Sequence, residues 1–460
     1  MDKVDLNKVK KIYFLGIGGI GMSALARYFN IMNYKVAGYD LTPSDLTHQL
    51  EDEGIEVNYK DEKTQIPSSI SLEDSLIVTT PAIPKDNKQL LYLKSRGFYI
   101  HKRAEILGLI SNKKKALCVA GTHGKTTITT MLAYILKNSS IGCNAFLGGL
   151  SMNFKSNLLI DKKSEYVVVE ADEFDRSFLN LRPEIAAISS MDADHLDIYG
   201  DKEHMLEAFK EFALKTRVDG KVFLKSGLSI KGVSVDSYYG ILGINPPSDC
   251  YASNLRMENN RYMFDYHSSE YDIKNIELGV PGRVNVENAT LAIRIALEVG
   301  VEPHEIIKSL PGFKGVWRRF NIHYQDENKI FIDDYAHHPK EISATLEAVR
   351  EIWKDKKLTV IFQPHLYTRT RDFYKDFAKS LSIADRVILL DIYPARELPI
   401  AGITSQIIKD NILVPTVILS KDELIPYLKN NFSSGILMTM GAGNIDREVP
   451  KIKNFLANPC

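Results

Sequence analysis

Residues 116–127 read ALCVAGTHGKTT, and the way this stretch folds decides the architecture around it. Its first half is an apolar run suited to a buried strand. Gly121 and Gly124 then punctuate a short loop, and Thr126–Lys137 has the spacing of a helix. A strand feeding a helix through a glycine loop is the unit of a parallel α/β sheet, which gathers ligands at the carboxyl ends of its strands. The residue types name the ligand. The two glycines let backbone N–H groups curl around phosphate oxygens, Lys125 can place a cation on the outer phosphates, and the Thr126 hydroxyl suits Mg²⁺. Val119 stands where a longer phosphate loop has its first glycine. The stretch predicts a site for ATP or a close analogue.

A metal on Thr126 needs acids. YVVVEADEFD, Tyr166–Asp175, supplies Glu170 as the first acid after an apolar strand, where it points to the ligand edge of the sheet. Glu170 is the expected metal ligand, and Asp172, Glu173 and Asp175 are read as solvated. The next strand, in IAAISSMDADHLD, ends in Asp192, Asp194, His195 and Asp197. His195 reads equally as a metal ligand and as a surface histidine.

A second glycine loop lies upstream in FLGIGGIGMSALA, Phe14–Ala26. Gly16, Gly18 and Gly21 follow the apolar run Ile12–Leu15 and open a helix read over Gly21–Asn33. The spacing suits a diphosphate at a helix N-terminus, and Asp40 ends the next strand where an acid would meet a ribose. Nothing in the loop selects a nicotinamide nucleotide, and a glycine turn that serves helix packing is the alternative.

The chain has 460 residues, a length that suggests about three domains. Lys+Arg and Asp+Glu both number 58, so there is no broad basic surface for nucleic acid. The N-terminus lacks an apolar signal region and no apolar run approaches the length of a membrane span, so a cytoplasmic chain without membrane insertion is expected. Cys118, Cys143, Cys250 and Cys460 show no metal-like spacing and read as reduced thiols. Polar ISNKKK, Ile110–Lys115, reads as a linker, and LPGFKGVWRRF, Leu310–Phe320, as a second boundary. Between them the sequence from Gly220 to Ile276 breaks into short β-like pieces, and a helix is read over Val286–Val299. Beyond the second boundary, DDYAHHP (Asp333–Pro339) and QPHLYTRTRD (Gln363–Asp372) each follow a strand, offering His and Arg to carboxylate or phosphate groups. Helix capping and surface charge are the alternative for each residue.

Taken in order, GIGGIGMSALA, TTPAIP, HKRAEILG, AGTHGKTT, EADEFDRSFL, DADHLDIY, PGRVNVENA, WRRF, DDYAHHP, QPHLYTRTRDF and GAGNI resemble the Mur ligases, the ATP-dependent ligases of peptidoglycan synthesis. The resemblance covers nearly the whole chain. GIGGIGMS with HKRAEILG, plus QPHLYTRTRDF, narrow it to the branch that adds L-alanine to UDP-N-acetylmuramate. It implies an α/β protein of three domains: a Rossmann-like UDP-sugar domain (1–110), a P-loop ATPase-like central domain (111–313) and a Rossmann-like C-terminal amino-acid and substrate domain (314–460), acting as a monomer or weak homodimer. UDP-sugar binding falls to Gly16, Gly18, Gly19, Gly21, Asp40, Thr80 and Arg103. ATP falls to Gly121, Thr122, His123, Gly124, Lys125, Thr126, Thr127, Asn285, Asn288, Arg318 and Asp334. Mg²⁺ falls to Thr126, Glu170 and His195, and catalysis to Lys125, Glu170, His195 and Arg318. Tyr335, His337, His365 and Arg369 would meet the sugar nucleotide or the amino acid, and a histidine of DDYAHHP would take the amine's proton.

Three departures stand out. Val284 and Leu366 replace a His and an Arg that relatives carry. Lys210 lies near, but one residue off, the position where sister ligases hold a carbamylated lysine. Two other classes of function explain less. An NAD-dependent oxidoreductase leaves GTHGKTT, EADE and DADH unexplained. A non-catalytic ATP sensor has no need of the clusters after residue 330. Within the class, the rival is the ligase that attaches an intact peptide to the same sugar nucleotide.

Overall fold

Five short strands alternate with helices over the first hundred residues: β1 (Lys11–Leu15), β2 (Lys35–Tyr39), β3 (Glu56–Asn58), β4 (Ser75–Thr79) and β5 (Ile100–Lys102). This computed structural model describes residues 5–192, 199–258, 261–395 and 397–457. The five strands form one parallel sheet in the order β3-β2-β1-β4-β5, the doubly wound arrangement. β1 sits at its centre because Ile12, Tyr13, Phe14 and Leu15 are apolar toward both faces and fully buried. The helix α1 (Ile20–Ile31) starts at Gly19 with neither a capping side chain nor an acid in its first turn. Its first N–H groups are thereby left for a ligand. The helix α2 (Arg103–Ser111) follows β5 directly.

The second sheet contains β6 (Lys115–Ala120), β7 (Asn144–Phe146), β8 (Leu158–Leu159), β9 (Tyr166–Glu170), β10 (Ile185–Ile188), β11 (Lys221–Lys225), β12 (Ser237–Ile241), β13 (Cys250–Glu258), β14 (Arg261–His267) and β15 (Asp272–Leu278). Its order is β15-β14-β13-β12-β11-β10-β6-β9-β7-β8, so β6 lies between β9 and β10. The loop after β6 therefore faces the ends of both neighbours, which carry the acids. The helix α3 (Lys125–Lys137) leaves that loop, with Gly124 in the left-handed region at φ +83°. The third sheet holds β16 (Asn321–Gln325), β17 (Lys329–Asp334), β18 (Leu358–Phe362), β19 (Arg386–Leu389), β20 (Thr416–Ile418) and β21 (Gly435–Met440) in the order β16-β17-β21-β18-β19-β20. Only β16 runs antiparallel.

Contacts divide the chain into two compact units. One comprises Met1–Leu255, Met263–Glu277 and Glu287–Lys314, the other Arg256–Tyr262, Leu278–Val286 and Gly315–Cys460. The first two sheets thus share a unit, and the reason is apolar packing. A single cluster runs from Ile12 and Phe29 through Ile110 to Phe146, Phe178 and Leu224. The stretch read as a linker contributes to it: Ile110 and Ser111 are buried as the last turn of α2, and Lys115 already begins β6. The helix expected over Val286–Val299 spans Arg283–Glu298. Cys118, Cys143 and Cys250 are free and buried, as read, and Cys460 lies outside the described residues. Among the described residues no helix is long and apolar enough to cross a membrane.

Candidate active site

The loop 121–124 is built by two serines that the motif does not contain. The Ser190 hydroxyl accepts from the His123 N–H at 2.7 Å and lies 3.0 Å from the Thr122 hydroxyl, while Ser189 donates to the His123 carbonyl. Gly121 holds φ +133°, and a Cβ there would strike the Ser189 hydroxyl. A Cβ on Gly124 would lie 2.9 Å from Asn288 Oδ1, which places Asn288 against the loop. The Asn285 amide instead donates to the Pro281 carbonyl at 2.6 Å.

Lys125 points back over the loop. Its Nζ donates to the Gly121 carbonyl at 2.6 Å and to Glu173 Oε1 at 2.9 Å. Burial alone would lower the ammonium pKa, but Glu173, Asp172 and Glu170 outweigh it and hold the group above its ordinary value. Glu173 is 1% exposed, so the reading of the later acids as solvated is corrected for this residue. Thr126 Oγ1 donates to Glu170 Oε1 at 3.0 Å, and the Gly148 N–H donates to Glu170 Oε2 at 3.0 Å. A hydroxyl beside a carboxylate is an oxygen-donor set that suits Mg²⁺ when phosphate and water complete the shell, so the residues present fit that ion. Among the described residues no group of three or more His, Cys, Asp or Glu gathers for a metal. His195 lies outside the described residues. Lys210 pairs with Glu207 at 3.0 Å one turn away on the same helix.

The upstream loop brings together most of the residues expected there. The Gly18 N–H donates to Asp40 Oδ2 at 2.8 Å. A Cβ on Gly16, which holds φ +86°, would lie 2.6 Å from Thr80 Cγ2. A Cβ on Gly21 would lie 2.7 Å from Arg103 Nη1, so the guanidinium spans the start of α1. Arg103 Nη2 is also 3.5 Å from Asp172 Oδ2, and Lys102 pairs with Asp175 at 2.9 Å. These contacts tie the upstream glycine loop to the acidic segment that faces Lys125.

In the second unit Arg318 takes a left-handed backbone, φ +61°. Its guanidinium turns inward, with Nε 3.1 Å from Asp333 and Nη2 donating to the Gly441 carbonyl at 2.6 Å. Arg318 and Arg319 lie over the Tyr335 ring at 5.2 and 5.1 Å. Asp334 accepts from the Phe320 and Ala336 N–H groups, each at 2.7 Å. His337 and His365 face each other at 6.1 Å, and Arg369 on the helix Tyr367–Leu381 is close enough to His337 to disfavour its charged form. Tyr335, His337, His365 and Arg369 thus converge. Leu366 opens that helix at φ +70°, and Val284 is exposed.

His337 does not make a strong base. His338 caps the helix Pro339–Ile352 and packs edge-on against Phe373. Burial, with Arg369 and Arg319 adding to it against Glu341, pushes His337 down to about 3. Burial likewise pushes Asp334 up to about 6, against the pull of Arg319 and two backbone N–H groups. The two act oppositely on stability. Unfolded His337 titrates near 6.5, so the unfolded chain binds the extra proton between there and about 3, and stability falls as pH drops through that window. Asp334 is favoured as the neutral acid, so its share is lost as pH rises from 3.8 through about 6. His337→Gln should therefore relieve about 2 kcal/mol of the loss this unit suffers between pH 7 and 5. Trp317 and Trp353, the chain's two tryptophans, both belong to this unit, so urea unfolding followed by tryptophan fluorescence measures it.

Three family profiles match the chain in order. They are the Mur ligase family catalytic domain over residues 11–115, the Mur ligase middle domain over 119–296, and the Mur ligase glutamate ligase domain over 318–443. A UDP-N-acetylmuramate–L-alanine ligase of Christiangramia forsetii is 51% identical over 98% of this chain and 99% of its own. A protein of the same name from Porphyromonas gingivalis is 49% identical over 98% and 100%. Among solved structures, the UDP-N-acetylmuramate–alanine ligase of Thermotoga maritima superposes with a TM-score of 0.81 at 27% identity, covering 97% of this chain and 99% of that one. A murein peptide ligase of Psychrobacter arcticus shares the fold at a TM-score of 0.71 and 21% identity, over 98% and 99%.

Proposed function

This chain belongs to the Mur ligase family, and from that premise we propose that it joins L-alanine to the lactyl carboxylate of UDP-N-acetylmuramate with ATP. The observation that carries the reading is a pair of unlike phosphate cradles in one compact unit. The loop 121–127 has a lysine, a hydroxyl and a carboxylate in contact, the set that serves a metal-bound triphosphate. The loop 16–21 has an acid and an arginine at a bare helix start, the set that holds a sugar diphosphate. The two full-length relatives supply the identity of the sugar nucleotide and the amino acid.

A carboxylate does not condense with an amine at neutral pH because oxide is not a viable leaving group. Transfer of the γ-phosphoryl group to the lactyl carboxylate gives an acyl phosphate and ADP. The L-alanine amine then attacks the acyl carbon, and phosphate leaves the tetrahedral intermediate. Two anions must meet in the first step, so the residues have to compensate charge and align the reactants. Lys125 compensates at the γ-phosphate, and Thr126 and Glu170 are the described residues that would hold Mg²⁺. That ion, when bound, adds positive charge to the phosphate oxygens. Gly121–Thr127 would cradle the phosphates, with Asn288 beside the loop. Arg103 and Asp40 anchor the UDP end, while Arg318 and Asp334 shape the loop that presents Arg319. Tyr335, His337, His365 and Arg369 would receive the amino acid or sugar. On this reading the three profile segments act as UDP-sugar, ATP and amino-acid domains of a cytoplasmic enzyme.

The test supplies ATP, Mg²⁺ and UDP-N-acetylmuramate with single amino acids, or with an intact murein peptide, and measures phosphate. Release that requires L-alanine is expected. Release without an amino acid, release only with the peptide, or hydride transfer to NAD would overturn the assignment.

A further inference from the structure

Among the buried polar groups that the proposed reaction leaves unused, one set converges where α1 meets the segment leading into β8. Arg27, on α1, is 4% exposed, and Asn157 is wholly buried. The Arg27 Nε forks onto both Glu53 oxygens at 2.8 and 2.9 Å, and Nη2 donates to Gln49 at 3.1 Å. Its Nη1 reaches across to the second sheet and donates to Asn157 Oδ1 at 2.6 Å. Asn157 answers with two bonds of its own. Nδ2 donates to the Ile20 carbonyl at 2.6 Å and to Ser23 Oγ at 2.9 Å, and Ser23 Oγ in turn donates to Ile20 at 2.9 Å.

Ile20 is the first residue of α1, directly after the glycine loop. The backbone of Asn157 is equally committed: its carbonyl accepts from the Leu147 N–H at 2.9 Å. Leu147 precedes Gly148, whose N–H holds Glu170 at 3.0 Å. One residue therefore links the first turn of α1, through its side chain, to the segment whose Gly148 N–H holds Glu170, through its backbone carbonyl. Burying a guanidinium and an amide here gives no more stability than apolar residues would, but hydrogen bonds at fixed angles set a geometry that apolar contact leaves loose.

We propose that Asn157 is a positioning residue that sets the sugar-nucleotide cradle from the neighbouring sheet, fixing its register against the ATP loop. This rests on the reading of the loop 16–21 as the UDP cradle. Removing the amide frees the first turn of α1, so the N–H groups facing the diphosphate lose alignment while the loop 121–127 keeps its own serine and glutamate supports.

The test is a full kinetic comparison with urea unfolding alongside. Asn157→Ala is expected to raise KM for UDP-N-acetylmuramate about tenfold, with KM for ATP changed less than about twofold and kcat at saturation changed less than about threefold. Asn157→Asp keeps the acceptor for Arg27 and loses both donated bonds, so it should behave as Ala does. Ser23→Ala removes one partner of the amide without opening a cavity beyond a hydroxyl. It should give the same split at about two- to threefold and serves if the Asn157 variants fail to fold. A UDP-N-acetylmuramate KM unchanged in the folded variants, or a parallel rise in both KM values, overturns the inference. Wild-type protein that does not turn over UDP-N-acetylmuramate is a different result, and it overturns the functional reading instead.

Discussion

Lys125→Met is expected to lower kcat for L-alanine-dependent phosphate release by about three orders of magnitude. The ammonium is the one cation of the loop positioned by two contacts of its own, the Gly121 carbonyl and Glu173. Its charge is held on by three carboxylates despite burial, so on the proposed reading it would meet the triphosphate as a cation. The same substitution damages the fold. It removes the ion partner of a glutamate that is 1% exposed, and breaking such a buried pair costs about 3–5 kcal/mol. Activity and stability are separable in the double variant Lys125→Met, Glu173→Gln. Neutralising both partners should recover most of the stability in urea unfolding followed by circular dichroism, while phosphate release stays at the level of the single variant. Substantial turnover in the double variant would show that Lys125 serves the fold and not the phosphate.

The glycine loops were legible because their chemistry is local. Three glycines or a lysine and a threonine at fixed spacing act through the backbone that carries them, and the strand before each loop is visible as an apolar run. Glu173 was not legible. The rule that the first acid after a buried strand faces the ligand picks Glu170, and it says nothing about an acid three residues on. Glu173 turns inward because the chain beyond it takes two consecutive left-handed residues, Asp175 at φ +51° and Arg176 at φ +53°. Such backbone is not encoded by glycine or asparagine here. Arg318 was no more legible: a sequence of two adjacent arginines does not reveal that one, at φ +61°, folds onto Asp333 while Arg319 stays more open. The polar stretch after residue 110 looked like a linker because lysines dominate it, although Ile110 and Ser111 finish a buried helical turn. Asn157 and Gly148 carried no signal at all, because the side-chain partners of Asn157 are 130 or more residues away and the Gly148 N–H meets an acid 22 residues on.

Gly148→Ala is expected to lower kcat about a hundredfold while costing little stability. A Cβ at this position would fall on the carboxylate of Glu170, inside the distance that real Cβ contacts keep, so the carboxylate must move. It is the far end of a flexible side chain, which can shift more readily than backbone, and that is why the fold should tolerate the change. Function should not, because the displaced oxygens lose the Gly148 N–H and the Thr126 hydroxyl, each now at 3.0 Å. An error of about 1 Å in an acid that aligns a metal-bound phosphate is enough for a loss of that size. The explanation makes a further demand. Glu170→Asp shortens the acid by one methylene, so in the Gly148→Ala background it should make room for the methyl group and restore about tenfold of the lost rate. On its own the same change should be harmful, since it pulls the carboxylate away from Thr126. Rates of the four proteins at rising Mg²⁺ decide the matter. If Gly148→Ala matches the wild type, or if Glu170→Asp worsens it further, Glu170 is not the ligand that the proposed function assigns to Mg²⁺.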